Sequence, residues 1–404
     1  MRSQCLSDVT RAGALRRLVK INVVSFLAQI VQIGTVPALM ALRLDAAHHS
    51  SLVVGTVAGA PWLAILLLGQ WAPRVLSRYG FVATNQAALA LSVLALVSAL
   101  HVTGAVPLFA SNFVFGIGLI LRWVACDTWI VWAAPEDIRG RAIGTHETLM
   151  GCGIAAGPLL IALTGSVGTL PLWNCIGLLL VSALTLTSLT HSNGYPHASD
   201  GTQRMAALRI VPAALMAGFV AGFVETSSIS FLPILSSKHL LALGVTAVLG
   251  GFGAGGTVLQ LPLGWLADKA GFRRSQLLTA SIVGLGALAL PWAGQHPAWL
   301  FGLLFLWGGA AGGLNTLAVI EVGHRITGAG LSTGLLAVAL AYTVGSTTGP
   351  VLTGWATFWF PGKGLPITTS LAVAAFIIVW AATSIVLPRF RLKGPAALER
   401  SAAT

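Results

Sequence analysis

Residues 264–274, GWLADKAGFRR, gather Asp268, Lys269, Arg273 and Arg274 into seven positions of a chain in which only 8% of residues are Asp, Glu, Lys or Arg. Long apolar runs flank the stretch on both sides. Residues 79–121, 148–199 and 275–320 contain no charged side chain at all. A soluble domain would carry roughly a quarter charged residues, whereas this chain is 56% hydrophobic. A helix needs about 20 apolar residues to cross the hydrocarbon of a bilayer. Each of the three runs is long enough for two crossings, and each is broken near its middle: HVTGAVP from 101, TGSVGTLP from 164 and AGQHPAW from 293. Gly and Pro clusters of this kind are turns. The charged stretch therefore reads as a short joint between two membrane spans.

Working outward from that joint gives twelve spans, at 20–41, 51–70, 82–101, 106–132, 142–164, 169–190, 208–232, 244–265, 276–293, 298–320, 331–354 and 366–387. Only helices or closed barrels satisfy their backbone in lipid, and period-two alternation is absent, so the expected fold is all-α. With both ends of the chain on one side, the segments on that side hold 19 of the 23 Lys and Arg, and the opposite loops hold only Arg43, Lys238 and Lys363. This asymmetry predicts that both termini are cytoplasmic, in a bacterial inner membrane. It also explains the net charge of +12 as topology and attraction to anionic lipid, and argues against nucleic acid as a partner.

Cys5, Cys126, Cys152 and Cys175 fit no metal-ligand spacing and read as small apolar fillers; neither a metal nor a cofactor is expected. The first span lacks a small-residue cleavage site, so no removable signal peptide is expected. There is no P-loop pattern, no His-Glu-x-x-His and no Gly-x-Ser-x-Gly, so catalysis is not indicated.

HSNGYPHASDGTQRMAALR, 191–209, is the longest polar stretch and lies at the midpoint. It divides the chain into a segment 1–19, a six-helix unit 20–190, a linker 191–207, a second six-helix unit 208–388 and a tail 389–404. The halves resemble each other. PRVLSRYGF, 73–81, pairs with GWLADKAGF, 264–272, putting Gly80 opposite Gly271; GIAAGP, 153–158, pairs with GSTTGP, 345–350. The nearly equal offsets indicate a duplicated unit. In the second pair Gly153, Gly157 and Pro158 answer to Gly345, Gly349 and Pro350, a spacing that lets helix backbones approach closely.

On these residues the chain resembles the major facilitator superfamily. GWLADKAGFRR follows that family's G-x-L-a-D-r-x-G-r-r loop at Gly264, Leu266, Asp268, Lys269, Gly271, Arg273 and Arg274; PEDIRGRA, 135–142, resembles its loop between spans four and five, and GIAAGP the Gly-Pro motif of its exporters. The first-half loop departs, with Pro73 for the first Gly and Ser77 for the Asp. SNFVFGIG, 111–118, resembles the span-four motif R-F-x-x-G, with Asn112 in place of the arginine that the family links with proton coupling. The resemblance implies two pseudo-symmetric six-helix bundles, a substrate cavity between them and alternating access. In that architecture Asp268 would latch onto the N-terminus of span eleven near Leu331, with Gly264 and Gly271 supplying the turn. Lys269, Arg273 and Arg274 would pair with acids such as Glu321, or simply be solvated loop charges.

Four ionisable groups fall inside spans: Arg122, Asp127, Glu147 and Glu225. A charge at the bilayer centre costs about 3 kcal/mol or more, so such groups usually have partners or face a cavity. Arg122 and Asp127 lie about 140° apart on a helix. Depth along spans four and five suggests an Arg122–Glu147 pair, with Asp127 near the cytoplasmic mouth; Arg122 reads equally as a site residue and as half of a structural salt bridge. Glu225, in GFVETSSISFLP, has no basic residue in its span. A lone acid near the midplane suits a proton-driven carrier; it suits equally a site for a cationic substrate, or a protonated hydrogen-bond donor. Asn22, Ser25, Gln29 and Gln32 share one face of span one. Gln29 and Gln32, with Thr226 and Ser228 in span seven, are candidate substrate contacts, or else contacts between helices. Asn112 joins the stripe Gly116, Trp123 and Asp127; Asn315, Trp307 and Tyr342 are further candidates. His146, His324, His48 and His49 read as loop or interface residues.

The expected function is a secondary active transporter of a small organic solute, proton-coupled, more exporter than importer, and working as a monomer in the lipid bilayer. The alternatives are an uptake carrier of the same fold, a lipid-handling protein or a transport-like receptor.

Overall fold

The computed structural model describes residues 2–166, 168–189, 211–238, 241–326 and 330–386. The linker 191–207 and the tail lie outside them. Among the described residues there are helices and short connections and no strand. Span one runs through Arg2–Gln29, a π-helical stretch Ile30–Thr35, and Val36–Ala46. Spans two and three are Ser51–Leu68, a short 3₁₀ turn Gly69–Trp71, and Ala72–His101, which breaks at Gly80. Spans four to seven are Ala105–Ala133, Arg139–Thr164, Leu170–Thr187 and Pro212–Ser237. Span eight bends by 41° between Val245–Val258 and Gln260–Ala270. Phe272–Ala293, Pro297–Arg325, Gly330–Trp359 and Gly364–Val386 complete the set of twelve.

The duplicated joints fold alike. Gly80 has φ 76° and Gly271 φ 83°, a left-handed conformation that costs glycine no steric strain. Each reverses the chain between two antiparallel spans. Gly264 has no part in this turn: it lies inside Gln260–Ala270, which corrects the expectation that both glycines make it.

Hydrogen bonds at the helix ends define two faces. Lys20 donates to Ser188 O, and Arg273 donates to Trp380 O and to Thr383 Oγ1. These contacts mark the linker face. On the far face Arg43 donates to Gly168 O, and His49 bonds Thr103 O. The outward surfaces of the spans are apolar, with Leu163, Leu261, Trp292 and Trp299 exposed, as lipid requires.

Glycine sets how closely the helices pack. A Cβ on Gly157 would stand 2.1 Å from the backbone of Gly34, binding span five to span one. Cβ atoms on Gly345 and Gly349 would meet Phe219 O and Phe223 O, binding span eleven to span seven. Between the halves, a Cβ on Gly55 would lie 2.0 Å from Pro350 O and one on Gly59 2.7 Å from Thr347 O. Packing between the halves runs through spans one, two and five against seven, eight and eleven; spans four and ten pack within their own halves. Lys238 Nζ meets Asp45 Oδ1 at 2.6 Å, and Thr246 Oγ1 donates to Pro158 O, also toward the far face. The halves are therefore closed on the far side and part toward the linker face.

Candidate functional site

At mid-depth, Trp62 of span two packs edge-on against Tyr342 of span eleven, ring centroids 5.8 Å apart. Ile33 and Leu119 are buried with Trp62, and Ile65, Trp123 and Ile154 pack around them. This apolar wall belongs to the N-terminal half and meets the C-terminal half at Tyr342. Behind Tyr342 stands Glu225 of span seven, half-buried. The Tyr342 hydroxyl donates to Glu225 Oε2. Glu225 Oε1 points toward span ten, where a Cβ built on Gly312 would lie 3.2 Å from it and 3.5 Å from Gln260 Nε2. Gln260 is exposed where span eight bends. A carboxyl and a carboxamide thus pack against span ten at a residue that has no side chain.

Arg122 is arranged differently. It is fully buried, with Nε donating to Gln32 Oε1 at 2.5 Å and Nη2 to Gln29 Oε1 at 2.7 Å. Nη1 lies 3.9 Å from Met150 Sδ. Gln32 in turn donates to Ser92 Oγ. The Arg122–Glu147 pair expected from depth is not formed. Glu147 is exposed, while span one turns two amide oxygens onto the guanidinium. The π-helical stretch makes this reach: it contains Gln32, is seated against Gly157, and is held by Thr35 Oγ1 donating to Ile30 O and Gly157 O. π-bulges re-aim side chains in this way. Gln29 and Gln32 are accordingly sealed around Arg122, not spread along a cavity. Their expected counterparts Thr226 and Ser228 are buried within the C-terminal half.

Asp127 lies toward the linker face with its side chain 40% exposed. Its partner is His146, which the sequence marks only as a loop or interface residue. The His146 ring is buried between Asn22 Oδ1 at 2.8 Å and Asp127 Oδ1 at 3.2 Å, joining spans one, five and four. The sequence hints at this only in that Asn22 stands seven residues, two helical turns, before Gln29 on one face of span one.

Asn112 donates to Leu108 O of its own helix and borders a small apolar cavity with Val36, Met40 and Phe115. Trp307 is buried against Phe252, and Asn315 is half-buried on span ten. Asp268 is exposed, and among the described residues it makes no hydrogen bond or ion pair to the expected start of span eleven at Gly330 and Leu331. Lys269 sits over the Trp265 ring at 3.8 Å. Glu321 pairs with Arg325 at 2.7 Å, accepts from Gln276 and lies within electrostatic reach of Arg273. Arg273 also reaches span twelve, where Trp380 offers both its carbonyl and its ring face.

The family model of the Major Facilitator Superfamily matches residues 21–337. The chain is 24% identical over 367 residues to the MFS-type transporter YfkF of Bacillus subtilis (strain 168), covering 88% of this chain and 92% of that protein. Among solved structures it is similar to the nucleoside transporter NupG, with a TM-score of 0.75 at 13% identity over 93% of this chain and 99% of that one. It is similar also to a D-xylose–proton symporter, with a TM-score of 0.71 at 14% identity over 91% of this chain and 97% of that one.

Proposed function

The chain belongs to the Major Facilitator Superfamily, and from that premise we propose that it is a proton-coupled carrier that exports a small organic solute by exposing one central site to each side of the membrane in turn. It is a multi-pass membrane transporter; the coupling ion, the direction and the cycle are this proposal. The observation that carries it is Glu225. Its carboxyl lies at mid-depth where the halves part, bonded to Tyr342. Among the described residues no basic side chain bonds it. A carboxylate without a countercharge at that depth is costly, so a proton or a cation must join it whenever the site leaves water. Arg122 does not serve, because its donors are taken by Gln29 and Gln32.

The apolar packing around Tyr342, with Trp62 edge-on to its ring, and the exporter-like Gly-Pro motif of span five favour export of a largely apolar solute. The charge asymmetry of the loops supports an inner-membrane orientation with both termini cytoplasmic. Uptake by the same cycle is the alternative, and the sign of the coupled proton movement separates the two.

The test uses protons as the probe. Proteoliposomes carrying a lumenal pH dye are exposed to a panel of organic solutes. The wild type moves protons against the flow of its solute. Glu225→Gln, which still accepts from Tyr342, loses that movement but retains solute-for-solute exchange. Gradient-driven transport at the wild-type rate in Glu225→Gln removes this residue from the mechanism.

A further inference from the structure

We propose that the start of span nine is a binding site for one anionic phospholipid, whose phosphodiester meets Arg273 and Arg274 and whose acyl chains cover spans nine and twelve. The backbone prepares the place. Span nine begins at Phe272 with Gly271 as its N-cap; no side chain caps its first turn, and no acid stands in it. A helix start of this kind offers backbone N–H groups and the positive end of the helix dipole to an anion. Arg273 and Arg274 stand in that same turn, and a guanidinium matches two oxygens of a phosphate.

Arg273 is held where a lipid head group would lie. Its Nη2 donates to Trp380 O at 3.2 Å and to Thr383 Oγ1 at 3.4 Å, and its guanidinium stands 5.3 Å from the Trp380 ring centre. These contacts fix it at the linker-face end of the crevice between spans nine and twelve. Arg325 is within electrostatic reach, and the buried Glu321 between them is already engaged by Arg325 and Gln276. Lys269, Arg273, Arg274 and Arg325 stand against Asp268 and Glu321, so this corner has an excess of two positive charges. Next to it Leu278 of span nine and Ile378 of span twelve are exposed, and they supply apolar surface for acyl chains. A Cβ on Gly284 would stand 3.1 Å from Val373 Cγ1, so the two helices meet closely behind that surface.

The repeat provides an internal comparison. The joint at Gly80 has the same left-handed turn as Gly271. After Phe81, however, come Val82 and Ala83, where Arg273 and Arg274 follow Phe272. The first-half joint keeps the turn and lacks the phosphate-binding side chains, so the site belongs to the C-terminal half. Charge then selects the lipid. A zwitterionic head group brings its own ammonium into a basic corner, whereas an anionic one does not. Free phosphate lacks the acyl contacts. The site faces lipid and not the space between the halves, so it is independent of the proton-coupled reading.

The test uses phosphatidylglycerol and phosphatidylethanolamine with the same acyl chains, added to the full chain in detergent. Native mass spectrometry counts the bound lipids, and thermal unfolding is followed with each lipid and with inorganic phosphate. The wild type is expected to hold its first phosphatidylglycerol about tenfold more tightly than phosphatidylethanolamine, in line with basic side chains beside an anionic head group. Inorganic phosphate leaves the unfolding temperature unchanged. Arg274→Gln, on an exposed side chain, lowers the preference severalfold, and the double variant with Arg273→Gln removes it. Arg74→Gln with Arg78→Gln, two exposed arginines at the first-half joint, keeps the wild-type preference. Should the double variant at Arg273 and Arg274 fail to fold, Arg274→Gln alone decides. Equal affinity of the wild type for the two lipids overturns the proposal, as does an unchanged preference in Arg274→Gln. An equal loss in the Arg74 and Arg78 variant also overturns it, because the attraction would then belong to the whole basic face. Stabilisation by inorganic phosphate equal to that by phosphatidylglycerol overturns the lipid as occupant.

Discussion

In the N-terminal half the central charge is Arg122, fully buried and closed over by Gln29, Gln32 and Met150. In the C-terminal half it is Glu225, half-buried, with one oxygen on Tyr342 and the other packed toward Gly312. The repeat relates these sites. The offset that pairs Gly153 with Gly345 also pairs Met150 with Tyr342 and Ile33 with Glu225. Where the C-terminal half carries its acid, the N-terminal half carries an isoleucine packed on Trp62. Where the C-terminal half offers a hydroxyl to that acid, the N-terminal half offers a thioether to a guanidinium. The two frames therefore carry different groups: a guanidinium enclosed by amide oxygens in one, and a carboxyl bonded to a tyrosine hydroxyl in the other. A guanidinium stays protonated at any accessible pH, so it suits bracing. A carboxyl is the group that can exchange a proton as the surroundings become wet or dry.

The strongest way to break this comparison is to remove the brace. Arg122→Ala strands the amide oxygens of Gln29 and Gln32 in a dry interior, and each buried acceptor left without a donor costs about 1–3 kcal/mol. The expected result is loss of folded protein in detergent, read by fluorescence-detected gel filtration and thermal unfolding. Arg122→Lys retains part of the yield. If Arg122→Ala is as stable as the wild type but inactive, the N-terminal charge is a site group and the contrast between the halves disappears. The acid should behave the opposite way. Tyr342→Phe removes only the hydroxyl that Glu225 accepts. A hydrogen bond to a charged group contributes about 1.5–3 kcal/mol, so proton-coupled transport should fall about tenfold or more while the unfolding temperature barely moves. A large drop in that temperature with unaltered coupling would make Glu225 and Tyr342 a second brace.

Much of this arrangement is legible in the sequence, for physical reasons that differ by residue. The joints at Gly80 and Gly271 are legible because charge cannot sit in hydrocarbon and only glycine turns there without strain. Glu225 is legible because a lone acid in an apolar run has no bland explanation. Arg122, Gln29 and Gln32 each stand out, but their union does not. An ideal helix period carries no sign of the π-helical stretch at Ile30–Thr35, and depth alone favours Glu147. His146 is illegible because a histidine near a span end has many ordinary uses; its bonds to Asn22 and Asp127 come from three helices meeting. Gly312 is hidden for a different reason. In the run WGGAAGGLN every glycine looks alike, and only the neighbouring helices reveal which one a carboxylate packs against.

The glycine contacts sharpen the comparison further, because some lie within a half and others between halves. Gly157→Ala pushes a methyl into the backbone of Gly34 inside the N-terminal half, where both partners are fixed. Overpacking of this kind costs about 1–3 kcal/mol and should appear as lower thermal stability. Gly55→Ala meets Pro350 O across the seam. If the halves move as units, the seam yields before either half does. Stability should then change little, while cysteines placed near Ser51 and Gly354 become more reactive to reagents applied from the far face. Equal losses of stability in the two variants, with unchanged labelling, would mean that the seam is as rigid as the bundle interior and that the halves do not rock.

The smallest expected effect lies at the far end of the same seam. Asp45 and Lys238 lie at the far ends of spans one and seven, and their ion pair joins the two halves at 2.6 Å. Lys238 is 54% exposed, so solvent and salt screen the pair, and such surface bridges contribute about 0–1 kcal/mol. That is too little to hold a fold and enough to bias two states of similar energy: 1 kcal/mol is roughly a fivefold change in their ratio. Lys238→Asp should place two acids together and increase far-face labelling by a few-fold at low salt, with the difference fading as salt is raised. Adding Asp45→Lys to the same chain reverses the pair and should restore the wild-type pattern. Restoration by the double variant is the decisive result, because it separates a charge contact across the seam from any independent role of either residue. Without it, the far side is closed by the glycine contacts of spans two and eleven and by Thr246 on Pro158.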